Sequence, residues 1–309
     1  MRIHAISLSP MSDVQKQRLK TLGDLQYYEA VLGDSNTGEL CRGAEILVIT
    51  PRLSVDIIPY LDDCRMISVQ AAGTDAINLD TARARGITVC NVPEFCTDAV
   101  AEHAIAMLLG LTKRLEEGRH LLETGGWNSA LAYKTLGLRS KTLGIFGLGK
   151  IGSRIAEIAH EGFGMRVIST VLNASHPRQF ETVGLEYLLS ESDFVIIAAP
   201  ATADTHNLFN REAFARIKRG AMIVNVSRAA LIDDNALIRA LDDGQLAGAA
   251  VDVFSAEPPP RSDPLLTHPK VLVSPHVAWG TEDAVERLLD TSIANVEAFL
   301  AGKPINTVS

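Results

Sequence analysis

Apolar, β-branched runs recur along the first ninety residues, at positions 3–8, 46–50, 66–69 and 87–92. Polar segments such as 13–22 and 79–85 lie between them, and Gly86 is placed to cap a helix before the next run. Strand and helix signals that alternate in this way predict a parallel sheet covered by helices. From Thr97 the pattern changes to a long helical segment, reaching about residue 124. The Thr97 hydroxyl can cap its start, and Asp98 sits in the first turn. A loop with Gly125, Gly126 and Trp127 leads into a second alternating series over 143–273.

The last element is predicted over 281–300. Val285, Leu288, Leu289, Val296, Phe299 and Leu300 fall at helical spacing, Glu282 and Asp283 occupy the first turn, and Gly302 with Pro304 ends it. No internal repeat, low-complexity tract or long linker interrupts the chain. One α/β unit follows another, with the division near Thr97 and a terminal helix left to cover an apolar face.

Length agrees with two domains, since 309 residues is about twice the usual ~150. A hydrophobic share of 47% with 21% charged residues is ordinary for a globular chain. Net charge of −8 and a pI near 5.5 argue against binding nucleic acid, which needs a basic face. Cys41, Cys64, Cys90 and Cys96 form neither a disulfide framework nor a CxxC pair, so no metal site is expected and a reducing cytoplasm fits. No run approaches 18 apolar residues and the N-terminus reads as a strand, so neither a membrane span nor a secretory signal is expected.

Candidate chemistry begins with Gly147-Leu-Gly149-Lys150-Ile151-Gly152, which runs from a strand straight into a helix. GxGxxG alone is a weak signal, but in this setting each glycine has a task. Gly147 permits a tight turn, Gly149 lets backbone approach a pyrophosphate, and Gly152 lets helix pack on strand. The amides of Lys150 and Ile151 would meet the anion at the helix N-terminus. A ligand-free turn and a methyltransferase turn compete with this reading; the latter lacks its usual acidic strand. About 20 residues on, where NAD-binding folds place Asp or Glu, stands Val171, and no carboxylate occurs from Gly162 to Phe180. Asn173, Ser175 and Arg178 follow instead, all able to donate to a 2′-phosphate. NADP(H) is therefore favoured, with NAD(H) or acceptance of both as the competing reading.

Three more apolar strands end in polar residues: one in Arg228, one in Asp252 followed by Glu257-Pro258, one in Pro275-His276. The carboxyl edge is where open α/β sheets bind ligands. A lone strand-end histidine is more often structural, and Arg228 alone could be a surface ion-pair partner. Together, downstream of a dinucleotide turn, they suggest an acid–base pair and an anion clamp.

In this ordered set the chain resembles the D-isomer-specific 2-hydroxyacid dehydrogenases. The likeness runs from about Met66 to the C-terminus. It includes Ala71-Ala-Gly-Thr-Asp75, Gly86 to Pro93, Val100-Ala-Glu-His103, the glycine turn, Arg228, Asp252, Glu257-Pro258 and Pro275-His276. The resemblance implies an α/β fold with two Rossmann-like domains, one flavodoxin-like and one dinucleotide-binding, each with a parallel sheet. Residues 1–96 plus 281–309 would form the substrate-binding domain, with the dinucleotide-binding domain, 97–280, inserted between them and the active site in the cleft. It further implies catalytic roles for three residues. Arg228 would hold the substrate carboxylate and polarise the keto oxygen, His276 would donate the proton, and Glu257 would orient the imidazole and favour its protonated form. Ala72, Gly73 and Trp279 would join Arg228 in the substrate site. Thr97, Pro200, Thr205, Val226 and Asp252 would join the glycine turn around the cofactor, Asp252 accepting from the nicotinamide carboxamide. A homodimer built on the 97–124 segment is also implied.

Among relatives, formate dehydrogenases of this fold carry glutamine where Glu257 stands, and D-lactate dehydrogenases have an aromatic-rich stretch after the histidine that is absent here. The stretch from His276 to Trp279 and the segment 295–306 are similar to hydroxypyruvate reductases (glycerate dehydrogenases), so reduction of glyoxylate or hydroxypyruvate is favoured. Another small 2-keto acid stays open. So does a nucleotide-sensing scaffold like the C-terminal binding corepressors, although this chain has no added polar tail.

Overall fold

The computed structural model describes residues 1–29, 36–51, 56–127, 134–170 and 179–308. The chain divides into two compact units, one of Met1–Cys96 with Gly280–Ser309 and one of Thr97–Trp279.

The first unit opens with β1 (Arg2–Ser7), α1 (Asp13–Leu22), β2 (Asp24–Glu29), α2 (Thr37–Cys41), β3 (Ile46–Ile49), β4 (Met66–Val69), α3 (Leu79–Ala84) and β5 (Thr88–Cys90). Its five strands run parallel in the order β2-β1-β3-β4-β5, a flavodoxin-like arrangement. The expected strands are present, slightly trimmed, and Gly86 takes the positive φ of +70° expected after α3. Strand β2 and helix α2 were not expected. The sequence of β2, Asp-Leu-Gln-Tyr-Tyr-Glu, is polar because it pairs on one side only and none of its residues is buried. Burial pushes the thiols of Cys41 and Cys64 up to about 12 and that of Cys90 to about 11, so none is a ready nucleophile.

The second unit comprises α4 (Thr97–Lys113), α5 (Leu115–Glu123), β6 (Thr142–Phe146), α6 (Lys150–Glu157), β7 (Arg166–Thr170), β8 (Glu181–Thr182), α7 (Leu185–Glu191), β9 (Phe194–Ile197), α8 (Arg211–Arg216), β10 (Ala221–Asn225), α9 (Asp234–Asp242), β11 (Leu246–Val251) and β12 (Val271–Val273). Seven parallel strands follow the order β12-β11-β10-β9-β6-β7-β8. Strand order reverses between β6 and β9, which makes their carboxyl ends the topological switch point where such sheets hold ligands. The helical segment that begins at Thr97 is two helices rather than one. Arg114 adopts a left-handed conformation (φ +53°), and its guanidinium bonds to Glu117 in the next turn. Helix α4 buries Ala99, Val100, Ala101, Ala104, Ile105, Met107 and Leu108, whereas α5 buries none of its residues in the chain.

The chain then returns to the first unit as α10 (Glu282–Leu300). Leu289, Ile293 and Val296 pack with Leu19 of α1 and with Ile3, Val48 and Met66 of the sheet. The C-terminal tail adds an antiparallel bridge, Thr307 to Cys90, beside β5. No helix among the described residues is long and apolar enough to cross a membrane.

Candidate active site

The glycine turn sits at the end of β6. Gly147 has φ +99°, and a Cβ there would stand 2.7 Å from backbone atoms of Ala199 at the end of β9. A Cβ on Gly152 would come within 2.0 Å of the Gly147 carbonyl oxygen, so α6 can start this close to the strand only with glycine. Gly149 differs. It caps α6 with no side-chain bond to the first amides, and a Cβ there would meet nothing within 4 Å. Glycine at 149 is not required by the protein's own packing, which fits an approaching dinucleotide phosphate held by the amides of Lys150 and Ile151.

Across the switch point, Thr205 is fully buried. Its hydroxyl bonds to the Pro200 carbonyl at 2.9 Å and accepts from the Thr202 amide at 2.7 Å. The residue thus shapes the loop that presents exposed Pro200. Val226 is buried at the end of β10, and Thr97 begins α4. Val171, Asn173, Ser175 and Arg178 lie outside the described residues.

Arg228 follows β10 through a turn fixed by Asn225. That buried amide donates to the Arg228 carbonyl at 2.9 Å and accepts from the Ser227 amide at 3.0 Å. The guanidinium Nη1 donates to the Ser227 carbonyl at 2.9 Å, which leans the head back over its own strand end. Beyond β11, the Glu257 side chain folds back so that Oε1 accepts from the Phe254 amide at 3.1 Å. Its other oxygen, Oε2, lies 2.6 Å from Nδ1 of His276, with both side chains about a quarter exposed at 24% and 29%. His276 has φ +55°, and its carbonyl accepts from Nε1 of Trp279 at 3.1 Å.

Asp252 has a task that the sequence did not suggest. It is buried, and its Oδ1 accepts from the Val277 amide and its Oδ2 from the Ala278 amide, each at 3.0 Å. Ser274 donates to Oδ1 as well. Burial alone would raise this carboxyl. Donors from His103, Ser274, Ala278 and Val277 outweigh it, and the pKa lies below the ordinary aspartate value. Asp252 therefore anchors the loop that carries His276. His103 closes the stretch Val100-Ala-Glu-His103 and Ser274 follows an apolar strand, with nothing in the sequence to join them; only the folded chain brings them to Asp252.

In the first unit, Ala72 and Gly73 follow β4. Ala72 is exposed, and its carbonyl accepts from Asn91 Nδ2 at 2.7 Å.

A parallel sheet with a dinucleotide turn at its switch point, and a histidine–carboxylate pair with an arginine on neighbouring strand ends, define an NAD-binding oxidoreductase. The family profile of the D-isomer specific 2-hydroxyacid dehydrogenase NAD binding domain matches residues 105–278. The chain is 35% identical over 289 residues to a glycerate dehydrogenase of Methylorubrum extorquens, covering 91% of this chain and 90% of that one. It is 34% identical to a glyoxylate reductase of Thermococcus litoralis, over 86% of this chain and 83% of the relative. The crystal structure of the Thermus thermophilus protein TT0316 superposes with a TM-score of 0.92 at 31% identity, covering 100% of both chains. This chain belongs to the D-isomer-specific 2-hydroxyacid dehydrogenase family.

Proposed function

We propose that this protein reduces a small 2-keto acid, glyoxylate or hydroxypyruvate foremost, to the D-2-hydroxy acid, with NADPH preferred over NADH. The observation that carries the reading is the 2.6 Å pair of His276 and Glu257, set in the same unit as Arg228 and the glycine turn. A formate-oxidising relative needs no proton transfer and no carboxylate behind its histidine. Relatives named glycerate dehydrogenase and glyoxylate reductase support the choice of substrate.

The residues divide the work between cofactor, substrate and proton. A nicotinamide dinucleotide, when bound, supplies the hydride. The amides of Lys150 and Ile151 hold its pyrophosphate, Gly149 leaves room for it, and Asp252, Val226, Pro200 and Thr97 line its place. Arg228 is always charged and presents a planar fork of donors, so it pairs with the substrate carboxylate and polarises the keto oxygen. With Nδ1 of His276 committed to Glu257, Nε2 is the ring atom through which the proton passes to the substrate oxygen. Glu257, held in turn by the Phe254 amide, fixes the ring and stabilises its charge. Ala72, Gly73 and Trp279 keep the substrate-binding roles that resemblance gives them.

Two copies are expected to pair. Leu115 and Leu122 of α5 are 63% and 57% exposed, and Trp127 just beyond it is 80% exposed. An apolar stripe without cover within its own chain fits a homodimer interface. The deciding experiment follows oxidation of NADPH and NADH by the purified protein with glyoxylate, hydroxypyruvate and pyruvate. Turnover fastest with the first two is expected. No turnover with any 2-keto acid, alongside intact nucleotide binding, overturns the reading in favour of a nucleotide-sensing scaffold.

A further inference from the structure

His276 does not sit on a strand or helix. It occupies a left-handed backbone position, φ +55°, which costs a residue with a side chain about 1 kcal/mol or more and persists only when its surroundings impose it. The restraint is found one and two residues downstream and two upstream. Val277 and Ala278 donate their amides to the two oxygens of Asp252, at 3.0 Å each, and Ser274 donates its hydroxyl to the same carboxylate. The Ser274 amide is fixed to the Val251 carbonyl at 3.0 Å, and the Asp252 amide to the Asn225 carbonyl at 3.0 Å. Asp252 thus ties residues 274, 277 and 278 to the ends of β10 and β11.

One further side chain closes this arrangement from outside the loop. His103, on α4 and more than a hundred residues earlier, has its Nε2 2.8 Å from Ser274 Oγ and 3.5 Å from Asp252 Oδ1. Proton bookkeeping sets the direction. A carboxylate only accepts and Ser274 has one hydroxyl proton, which it gives to Asp252; His103 must therefore carry its proton on Nε2 and donate to Ser274. The chain His103 to Ser274 to Asp252 keeps the serine proton aimed at the carboxylate. Without the histidine, that hydroxyl can turn to the Met107 sulfur, 3.8 Å away, or to solvent. The His103 ring is a quarter exposed, so its removal leaves no large cavity.

We infer that His103 is a positioning residue for the reaction, which through Ser274 and Asp252 holds the loop that places His276. The inference rests on the assignment of His276 as proton donor. Displacing a catalytic group by about 1 Å is enough to cost up to roughly a hundredfold in rate. Binding of the keto acid carboxylate rests on Arg228, at the end of a different strand, and is left alone.

The test compares His103→Leu, His103→Gln and Ser274→Ala with the wild type by two measurements. In the first, kcat of His103→Leu and Ser274→Ala should fall tenfold or more, while the keto acid KM changes less than about threefold. Glutamine can offer its Nε2 donor to Ser274, so His103→Gln should recover most of the loss. The second is deuterium uptake by the peptide covering 272–280, which should rise in His103→Leu and Ser274→Ala and stay near wild type in His103→Gln. Unchanged kcat and unchanged uptake in His103→Leu overturn the inference. Equal impairment of the leucine and glutamine variants also overturns it, since packing alone would then be the cause. A wild-type protein that turns over no 2-keto acid instead defeats the functional reading, and the exchange experiment still decides whether His103 restrains the loop.

Discussion

The Nδ1 atom of His276 stands 2.6 Å from Oε2 of Glu257, at the separation of a strong charge-assisted hydrogen bond, and the carboxylate is itself tied down by the Phe254 amide. Ring orientation is therefore set by one neighbour before any substrate arrives. His276→Ala should lower turnover by at least ~10², the usual worth of a general acid, while nucleotide binding measured by calorimetry stays close to wild type. Glu257→Gln keeps the shape and removes the charge, and should lower kcat by an intermediate factor. Near-normal turnover of His276→Ala would sink the assignment.

Arg228 gives a second, separable outcome. Its guanidinium offers two parallel donors to a carboxylate where lysine offers a point charge. Arg228→Lys should raise the keto acid KM well above that of wild type, and Arg228→Ala should abolish productive binding, with cofactor affinity retained in both. Loss of cofactor affinity in step with substrate affinity would place Arg228 elsewhere.

The glycine turn separates packing from ligand binding. A methyl group on Gly152 would run into the Gly147 carbonyl at 2.0 Å, so Gly152→Ala should destabilise the second unit by about 1–3 kcal/mol. A methyl group on Gly149 meets no protein atom within 4 Å. Gly149→Ala should unfold like wild type and bind NAD(P)H more weakly. Equal stability of the two variants would remove the argument.

The alternation of apolar and polar runs made the two parallel sheets legible, because buried parallel strands are apolar throughout. The glycine turn, Arg228, Glu257 and His276 were legible for a related reason: each stands where an apolar strand stops. What the sequence hid has no such marker. Strand β2 is an unburied edge strand with only Leu25, Tyr27 and Tyr28 to announce it. The break falls at Arg114, in a left-handed conformation, where no glycine or proline announces it. His103, Ser274 and Asn225 act through partners far away in the chain or buried at strand ends, and no local pattern joins them.

Asp252 links the site to stability against pH. Its carboxyl lies below the usual range in the folded chain, so folding favours the deprotonated form. The stability that this contributes is present above the unfolded value, near 4, and is lost as pH falls through the lower folded value. Both tryptophans, Trp127 and Trp279, lie in the second unit, so their fluorescence reports its unfolding. In urea, wild type should exceed Asp252→Asn by a constant margin from pH 7 to 5, and the margin should shrink toward pH 3. A margin independent of pH would show that the charge of Asp252 is not what the loop donors hold.

The proposed cofactor preference rests on the sequence from position 171 to 178. A carboxylate at 171 would accept from the ribose hydroxyls of NAD and repel the 2′-phosphate of NADP; Val171 does neither. Arg178, Asn173 and Ser175 follow within a few residues, and a hydrogen bond to a charged group is worth roughly 1.5–3 kcal/mol. At 1.4 kcal/mol per factor of ten, that converts to about 10- to 100-fold in affinity. NADPH should therefore exceed NADH in kcat/KM by about tenfold or more, and Arg178→Ala should erase most of the difference by weakening NADPH alone. Val171→Asp with Arg178→Ala should reverse the preference, because the new carboxylate both repels the phosphate and accepts from the ribose. Raising ionic strength should erode the NADPH advantage more than it weakens NADH, since the 2′-phosphate adds a charge pair that NADH lacks. Equal efficiencies with the two cofactors, unchanged on removal of Arg178, would mean that Arg178 serves no phosphate and that the enzyme accepts both.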